Sequence, residues 1–251
     1  MSVLELQAGV TYGPINSRRL GRSMGINLLP TDRKVCTFDC VYCQYGSAQP
    51  VAKGAGGFPT VEAVLQGVEE ALGRQPSPPD YLTFSGNGEP TLHPCFPEIA
   101  EEVCRLRDRT CPQTRVAILS NSSRAHRAEI RRAIETLDDP IMKLDAGDGV
   151  TMAQISRPAA GVLFEELMDG LAALPRLIIQ TMIIEGPVQN VRGEAHERWL
   201  SAIARLSPTK VQIYTSERPV AETGVLQVPK DELERLAAEA QERTGVAVTA
   251  Y

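Results

Sequence analysis

The sequence contains no apolar run close to the roughly 20 residues that a helix needs to cross a bilayer. Its first residues, Met1 to Glu5, also lack the basic and apolar regions of a secretory signal peptide. A membrane protein and a secreted protein are therefore both disfavoured. We expect a cytoplasmic protein whose 251 residues suffice for one large domain or two small ones.

Acidic residues outnumber basic ones, so the formal net charge is −5 and the pI is near 5.4. Binding to nucleic-acid phosphates needs a basic surface, so broad and non-specific binding of this kind is disfavoured. Two local basic clusters remain, for which solvated surface is the simpler interpretation: Arg18, Arg19 and Arg22, then Arg124, Arg127, Arg131 and Arg132.

Cysteine is too scarce for a disulfide scaffold, because the whole chain has six. Three of them, Cys36, Cys40 and Cys43, form a C-x3-C-x2-C run. A structural zinc site is closed by four ligands, commonly as two pairs, and no second pair follows here. Three thiolates can instead hold three irons of a four-iron cluster and leave one iron open. Zinc binding and unligated core packing are the alternatives.

The remaining cysteines are Cys95, Cys104 and Cys111. They could hold an auxiliary cluster, but Cys104 falls in the middle of a predicted helix beside apolar residues. Buried free thiols behave as small hydrophobic groups. Core packing is therefore the simpler interpretation of these three residues.

After the cysteine run, short β-rich segments alternate with helical periodicity, which is typical of parallel strands joined by helices. The predicted strands are Gly25–Leu29, Tyr81–Ser85, Val116–Ser120, Ile141–Leu144, Leu177–Ile184 and Lys210–Thr215. The predicted helices are Val61–Gly73, Pro97–Arg109, Arg124–Leu137, Val162–Ala173, Gly193–Leu206 and Lys230–Arg243. We expect one domain over residues 1–251, with an N-terminal extension at 1–24 and a cluster-binding loop at 36–43.

The cysteine triad resembles the signature of the radical S-adenosylmethionine (SAM) superfamily, with Tyr42 as the aromatic residue before the third cysteine. Ser85-Gly86-Asn87-Gly88-Glu89-Pro90-Thr91 is similar to the superfamily's Gly-Gly-Glu motif, which holds the amino acid end of SAM. Tyr12-Gly13-Pro14 and Ser17-Arg18-Arg19-Leu20-Gly21-Arg22-Ser23 resemble the bacterial relatives of the wyosine-type (4-demethylwyosine) tRNA synthases. The resemblance implies an α/β fold, a partial (β/α)6 TIM-like barrel that is open on one side. It also implies two cofactors, a [4Fe-4S] cluster on Cys36, Cys40 and Cys43, and SAM.

In such a barrel the ligands lie beyond the carboxyl ends of the strands. The resemblance then places Tyr42 near the adenine of SAM, and Gly86, Asn87 and Gly88 where the backbone approaches SAM closely. Glu89 is expected to accept the SAM ammonium group, Asn121 or Ser122 to bind its carboxylate, and Asp145 its ribose. Each of these residues also has a simpler structural interpretation, and for Ser122 it is capping of a helix. Phe38, in the cysteine loop, is expected to shield the cluster from water, with core packing as the alternative. His93 follows the Glu89 loop, with a surface or loop histidine as the simpler interpretation. Further candidates at strand ends are Lys143, Gln180, Thr181, Tyr214, Thr215, Glu217 and Arg218.

Lys143 has two interpretations. In the resembled tRNA synthases a lysine has been proposed to form a Schiff base with pyruvate, but no motif matches Lys143 to it. A salt bridge between Lys143 and a neighbouring carboxylate is the simpler prediction. Those synthases also build a second cluster from cysteines upstream of the triad, and no cysteine precedes Cys36 in this sequence.

The resemblance implies an enzyme that cleaves SAM reductively to a 5′-deoxyadenosyl radical, which abstracts hydrogen from a substrate. Such an enzyme needs an electron donor such as flavodoxin or ferredoxin. An RNA-modification reaction on tRNA is compatible with the resemblance but is not favoured by the acidic pI. The alternatives are an activating enzyme for a glycyl-radical enzyme and a non-enzymatic iron–sulfur electron carrier, although carriers usually have a fourth cysteine ligand.

Overall fold

The computed structural model describes residues 4–48, 56–216, 220 and 222–251. Within these ranges the strands are β1 (Thr11–Ser17), β2 (Gly21–Ile26), β3 (Tyr81–Phe84), β4 (Arg115–Ser120), β5 (Asp139–Lys143), β6 (Ile178–Met182), β7 (Lys210–Tyr214) and β8 (Val248–Ala250). The α-helices are α1 (Val61–Gly73), α2 (Phe96–Thr110), α3 (Ala128–Glu135), α4 (Gly149–Ile155), α5 (Phe164–Ala172), α6 (Gly193–Leu206) and α7 (Lys230–Thr244). A single 3-10 turn at Pro90–Leu92 follows β3.

The strands form one sheet in chain order, β1 to β8. All neighbours from β2 to β8 are parallel, and β1 alone pairs antiparallel with β2. The sheet is not closed, because β1 and β8 each pair with a single strand in the described residues. The predicted fold class, an α/β partial barrel open on one side, is confirmed, with one extra strand at each edge.

The two faces of the sheet bury different partners, as the period-2 alternation of side chains requires. Phe84, Ile118 and Ile179 belong to the main core, which includes helix residues such as Val68 and Val103. The opposite face has a small cluster of its own, where Leu20 packs with Ala117, Ile141 and Ile178. The helices therefore cover the outer face, and the inner face is left to line a cavity.

Helix signals in the sequence account for several of the boundaries. Helix α1 begins after Thr60, whose side chain accepts a hydrogen bond from the Ala63 amide. Helices α6 and α7 end at residues with left-handed backbone, Ser207 and Gly245. The predicted bounds of α1 and α6 are reproduced to the residue.

Two predicted elements are shifted. The first predicted strand, Gly25–Leu29, is observed at Gly21–Ile26, because Asn27 turns the chain by accepting from the Leu29 amide and donating to the Leu29 carbonyl. The predicted helix Arg124–Leu137 begins only at Ala128. Since β2 begins at Gly21, the predicted boundary of the N-terminal extension at residue 24 cuts through a strand of the sheet.

No helix in the described part of the chain combines the length and the apolar character that crossing a membrane requires.

Candidate active site

A cavity of about 670 Å³ opens at the carboxyl ends of the parallel strands. Residues from the segments that follow β2, β3, β4 and β7 line it, together with residues of β6 itself, as expected for a parallel α/β sheet. The predicted site residues on its wall are Cys36, Cys40, Cys43, Tyr42, Gly86, Gly88, Glu89 and Asn121. Asn87, Ser122 and Asp145 do not line it.

The cysteine loop is fixed at its start by the Gly-Asn-Gly-Glu segment. The Val35 amide donates to the Asn87 carbonyl at 2.9 Å, and the Glu89 amide donates to the Val35 carbonyl at 3.0 Å. Further on, the Val41 amide donates to the Ile155 carbonyl at 3.0 Å, which ties the loop to the end of α4. The first cysteine, Cys36, therefore has a position set by the motif after β3.

The three cysteines are reduced and half-buried. Burial raises the pKa of Cys36 to about 12, with the charges of Cys40 and Glu89 adding to the effect. Burial likewise raises the pKa of Cys40 to about 11. Both thiols hold their protons in the metal-free protein, so metal binding must release them.

The donor set suits an iron–sulfur cluster, whose usual protein ligands are thiolates. Among the described residues, no three His, Cys, Asp or Glu side chains are grouped as ligands of one metal ion. The three thiols instead border one cavity, as the ligands of a larger polynuclear cluster must. The sulfur of Cys36 accepts from the Phe38 amide and from the Asn121 side chain, both at 3.4 Å, and such bonds tune the potential of iron–sulfur clusters.

Lys34 adds a buried cation to this wall, which sequence inspection missed. Its side chain is 3% exposed, donates to the Gly46 carbonyl at 2.7 Å and lies 3.6 Å from the Asp39 carboxylate. Burial disfavours its charge, but Cys43 and the other two triad cysteines raise its pKa above the usual value. The ammonium group therefore stays charged beside the sulfur ligands.

Gly86 and Gly88 have φ values of +143° and +141°, which side chains rarely adopt. A Cβ atom on Gly88 would overlap the Val35 carbonyl, and one on Gly86 would overlap the side chain of Asn27. The second glycine of the motif is thus required by close packing against the cysteine loop.

The side chain of Asn87 has a structural role, and the contact with SAM expected of this residue stays a prediction. Its side chain is completely buried, accepts from the Gln7 amide at 2.7 Å, and donates to the Gln7 and Pro30 carbonyls at 3.0 and 2.9 Å. All its hydrogen-bonding groups are engaged with the protein away from the cavity.

Glu89 joins the ends of β3 and β4. Its buried carboxylate accepts from Thr91, from the Ser120 hydroxyl at 2.9 Å and from the Asn121 amide at 2.6 Å. Burial raises its pKa, against the effect of these donors. One oxygen, Oε2, accepts only the Asn121 bond and retains capacity for a ligand.

Asn121 and Ser122 separate in the structure. Asn121 lines the cavity and donates to the Thr37 hydroxyl at 2.8 Å. Ser122 is completely buried with φ at +72°, and its hydroxyl donates to the Lys143 carbonyl at 2.8 Å. Ser122 therefore faces away from the cavity, and it is not a helix cap because α3 begins after Arg127.

Tyr42, Lys143 and Asp145 form one buried group. The Lys143 ammonium donates to the Tyr42 hydroxyl at 2.5 Å and to Asp145 Oδ2 at 3.2 Å, and the Tyr42 hydroxyl donates to the same carboxylate oxygen. Asp145 Oδ1 accepts from the Met182 amide at 2.8 Å. The salt bridge predicted for Lys143 is confirmed. The ribose role expected of Asp145 lacks support, because its carboxylate is fully buried behind Tyr42.

Burial disfavours the charge on Lys143, yet Asp145 and Tyr214 raise its pKa well above the usual value. Burial also raises the pKa of Tyr42, and the charge of Asp145 adds to that effect. The group therefore holds a protonated lysine and a neutral tyrosine at neutral pH.

The other candidates lie apart. Cys95 precedes α2, Cys104 lies within it and Cys111 follows it, so they are spread along one helix axis at spacings of about 10 Å or more and cannot share a cluster. His93 is buried between the Pro59 carbonyl and the Cys95 amide, away from the cavity. Gln180, Tyr214 and Thr215 line the cavity, whereas Thr181 does not. Glu217 and Arg218 lie outside the described residues.

The N-terminal hairpin is a second part of the site, besides Lys34, that sequence inspection missed. Tyr12, Arg18 and Arg19 line the cavity. The Tyr12 hydroxyl is hydrogen-bonded to the Ser85 hydroxyl at 2.6 Å. The sequence signals were the resemblance of these segments to a family and the basic cluster of Arg18, Arg19 and Arg22, and neither gave these residues a role in the cavity.

Comparisons with known proteins agree with the family resemblance of the sequence motifs. Residues 34–200 match the family described as the radical SAM superfamily. The chain is 34% identical over 219 residues to UPF0026 protein MJ1312 of Methanocaldococcus jannaschii, covering 85% of this chain and 65% of that protein. It is 30% identical to UPF0026 protein slr1464 of Synechocystis, covering 83% of this chain and 76% of that protein. A protein named GTPase Obg, of Brachyspira hyodysenteriae, is 27% identical and covered to 33% of its length. The chain thus spans less than two thirds of the length of UPF0026 protein MJ1312 and of the protein named GTPase Obg.

Solved structures share the fold at low identity. TYW1 with a lysine–pyruvate adduct superposes with a TM-score of 0.62 at 17% identity, over 88% of this chain and 73% of that one. Streptococcus suis SuiB bound to S-adenosylmethionine superposes with a TM-score of 0.64 at 11% identity, over 90% of this chain and 50% of that one.

Proposed function

Because the chain belongs to the radical SAM superfamily, whose members are enzymes that use a [4Fe-4S] cluster and SAM, we propose that it cleaves SAM reductively and abstracts hydrogen from a substrate. One observation carries the proposal. Among the described residues, three thiols and no fourth cysteine share a cavity wall with Gly86, Gly88 and Glu89. Val35, which directly precedes the first of these cysteines, is tied to the same segment by backbone hydrogen bonds.

Cys36, Cys40 and Cys43 would hold the cluster, and Lys34, Asn121 and the Phe38 amide would stabilise the negative charge on its sulfur ligands. When bound, the reduced cluster supplies the electron that splits SAM into methionine and a 5′-deoxyadenosyl radical. The protein's task is to bind SAM and substrate, orient them and exclude water from the cavity.

Glu89 and Asn121 are proposed to bind the amino acid end of SAM. Glu89 Oε2 can accept from an ammonium group, in a charge-assisted bond that is strong at a buried position. Asn121 lies at the same wall, where its side-chain N–H groups donate to Thr37 and Cys36, and one of these donors would turn to the carboxylate of SAM. Tyr42 is proposed to contact the adenine, with its ring held in place by Lys143 and Asp145 behind it.

An external one-electron donor, such as a flavodoxin or a ferredoxin, is proposed as a partner, since the described residues offer a single candidate cluster site. The likeness to TYW1 is one of fold, so its lysine–pyruvate adduct does not identify the substrate of this chain.

The proposal is tested with anaerobically reconstituted protein, dithionite and SAM. We expect about four irons per chain, with release of 5′-deoxyadenosine and methionine detected by mass spectrometry. Changing any of Cys36, Cys40 or Cys43 to Ala should abolish both the iron content and the cleavage of SAM. Cys104→Ala is the matched control, because Cys104 lies on α2 outside the cavity, and it should keep both. A fully loaded protein that binds no SAM would be an electron carrier instead, and the proposal would be wrong.

A further inference from the structure

The cavity has two parts that differ in their relation to the superfamily. The cysteine loop, Glu89, Asn121 and Lys143 lie within residues 34–200, which match the superfamily. The hairpin of β1 and β2, and Tyr214 at the end of β7, lie outside that range but line the same cavity. The cofactor residues belong to the shared part, so the wall outside it is where recognition particular to this chain's own substrate is expected.

The hairpin is firmly seated in the barrel. The ring of Tyr12 packs so closely on Gly25 that a Cβ atom at position 25 would overlap it. At the hairpin turn, Leu20 is 7% exposed and packs against Ala117 and Ile178 inside the barrel. These contacts give the residue before Leu20, Arg19, a defined place on the inner face of the sheet.

Arg19 projects from this turn into the cavity. Its guanidinium donates to Gln180 Oε1 at 3.0 Å and lies 4.5 Å from the centre of the Tyr214 ring. Stacking on an aromatic face fixes the plane of a guanidinium without using its N–H groups. Arginine has five such donors, and this bond to Gln180 uses one of them.

The guanidinium of Arg19 forms no ion pair with a described carboxylate. No acidic side chain in the described ranges lies within salt-bridge distance of it, whereas Lys143 is paired with Asp145. Of the described acidic side chains only Glu89 lines the cavity, and its free capacity is assigned above to the ammonium group of SAM. Among the described side chains, basic groups thus outnumber acidic ones on the cavity wall, in a chain whose net charge is −5.

We propose that Arg19, held by Gln180 and Tyr214, binds a carboxylate or phosphate group of the substrate. The inference rests on the proposed function, since that function makes the cavity a substrate site. A planar guanidinium offers two parallel N–H donors to the oxygens of either group. Fixing one end of the substrate on Arg19 would hold the remainder of the molecule in the cavity that the cysteines also line.

The test uses cluster-loaded protein saturated with SAM and without reductant, so that small anions cannot occupy the open iron. Acetate and inorganic phosphate are the anionic probes and acetamide is the neutral analogue of acetate. All are titrated by ligand-observed NMR at constant ionic strength. We expect acetate or phosphate to bind and acetamide not to bind. Binding of acetate alone identifies a carboxylate and binding of phosphate a phosphate, and either result supports the proposal.

Arg19→Met should weaken anion binding about tenfold or more, and Arg19→Lys, which keeps the charge, should weaken it less. Arg22→Met is the matched control: it removes the same charge from the same hairpin, but Arg22 points to Ser77 and Gln75 outside the cavity. The proposal is overturned if acetamide binds as well as acetate, if neither anion binds, or if the Arg19→Met and Arg22→Met proteins bind anions equally. Iron content and circular dichroism establish that each variant is folded and loaded.

Failure of the proposed function would be seen separately. SAM binding and cleavage are measured on the wild-type protein before any anion is added, and they do not involve Arg19→Met.

Discussion

Gly88 couples the two cofactor motifs, and Gly88→Ala should uncouple them. At φ +141° an alanine is strained by about 1–3 kcal/mol. Its Cβ atom would also overlap the Val35 carbonyl, so Val35 must move. That movement breaks the two backbone hydrogen bonds of Val35, at 2.9 and 3.0 Å, which contribute about 0.5–1.5 kcal/mol each. The total is about 2–6 kcal/mol, or a fall in Tm of about 5–20 °C for a chain of this size.

The assay is thermal unfolding together with iron content after reconstitution. Because Cys36 directly follows Val35, the Gly88→Ala protein should also incorporate less iron. Gly161→Ala is the matched control: its φ is +87°, but its Cβ atom would meet nothing within 4 Å. It should lose about 1–3 kcal/mol from strain alone and keep its iron. If Gly88→Ala is no less stable than Gly161→Ala and binds iron fully, the coupling described here does not exist.

Three further outcomes are expected. His93 accepts a hydrogen bond from the Cys95 amide and donates one to the Pro59 carbonyl, so its ring is neutral in the folded protein. Burial lowers the pKa of His93 below its value in the unfolded chain, so the stability of the protein should fall as the pH drops below about 6.5. The Tm of His93→Gln should therefore depend less on pH than that of the wild type. Lys34→Met removes a buried cation beside the sulfur ligands, so the reduction potential of the cluster should become more negative in an EPR-monitored titration. Lys34→Arg keeps the charge, and its potential should stay near that of the wild type. Equal potentials in all three proteins would contradict the role given to Lys34. Cys104→Ala should keep full iron content, and a substantial loss would reveal a second metal site.

The parts of the fold that sequence predicts are those with local signals. Helix α1 has Thr60 as its cap and a clear apolar stripe, and the cysteine triad has its spacing. Strand β1 was missed because Gly13 and Pro14 interrupt it and shift its register. Strand β8 and helix α4 were missed because three and seven residues carry too little periodicity.

The side-chain partners could not be predicted, because they lie far apart along the chain. The side chain of Asn87 is hydrogen-bonded to Gln7, which lies 80 residues away, and is held outside the cavity. Arg19 meets Gln180 across 161 residues, and nothing local to either residue predicts the pair. Asp145 follows a strand as a ligand residue would, but Tyr42 covers it from 103 residues away.

The most direct test of the account is Mössbauer spectroscopy of protein reconstituted with 57Fe, recorded with and without SAM. If three cysteines hold a four-iron cluster, one iron subsite should change its spectrum when SAM is added, and the other three should not. A spectrum that SAM leaves unaltered, or a protein that takes up zinc in place of iron, would contradict it.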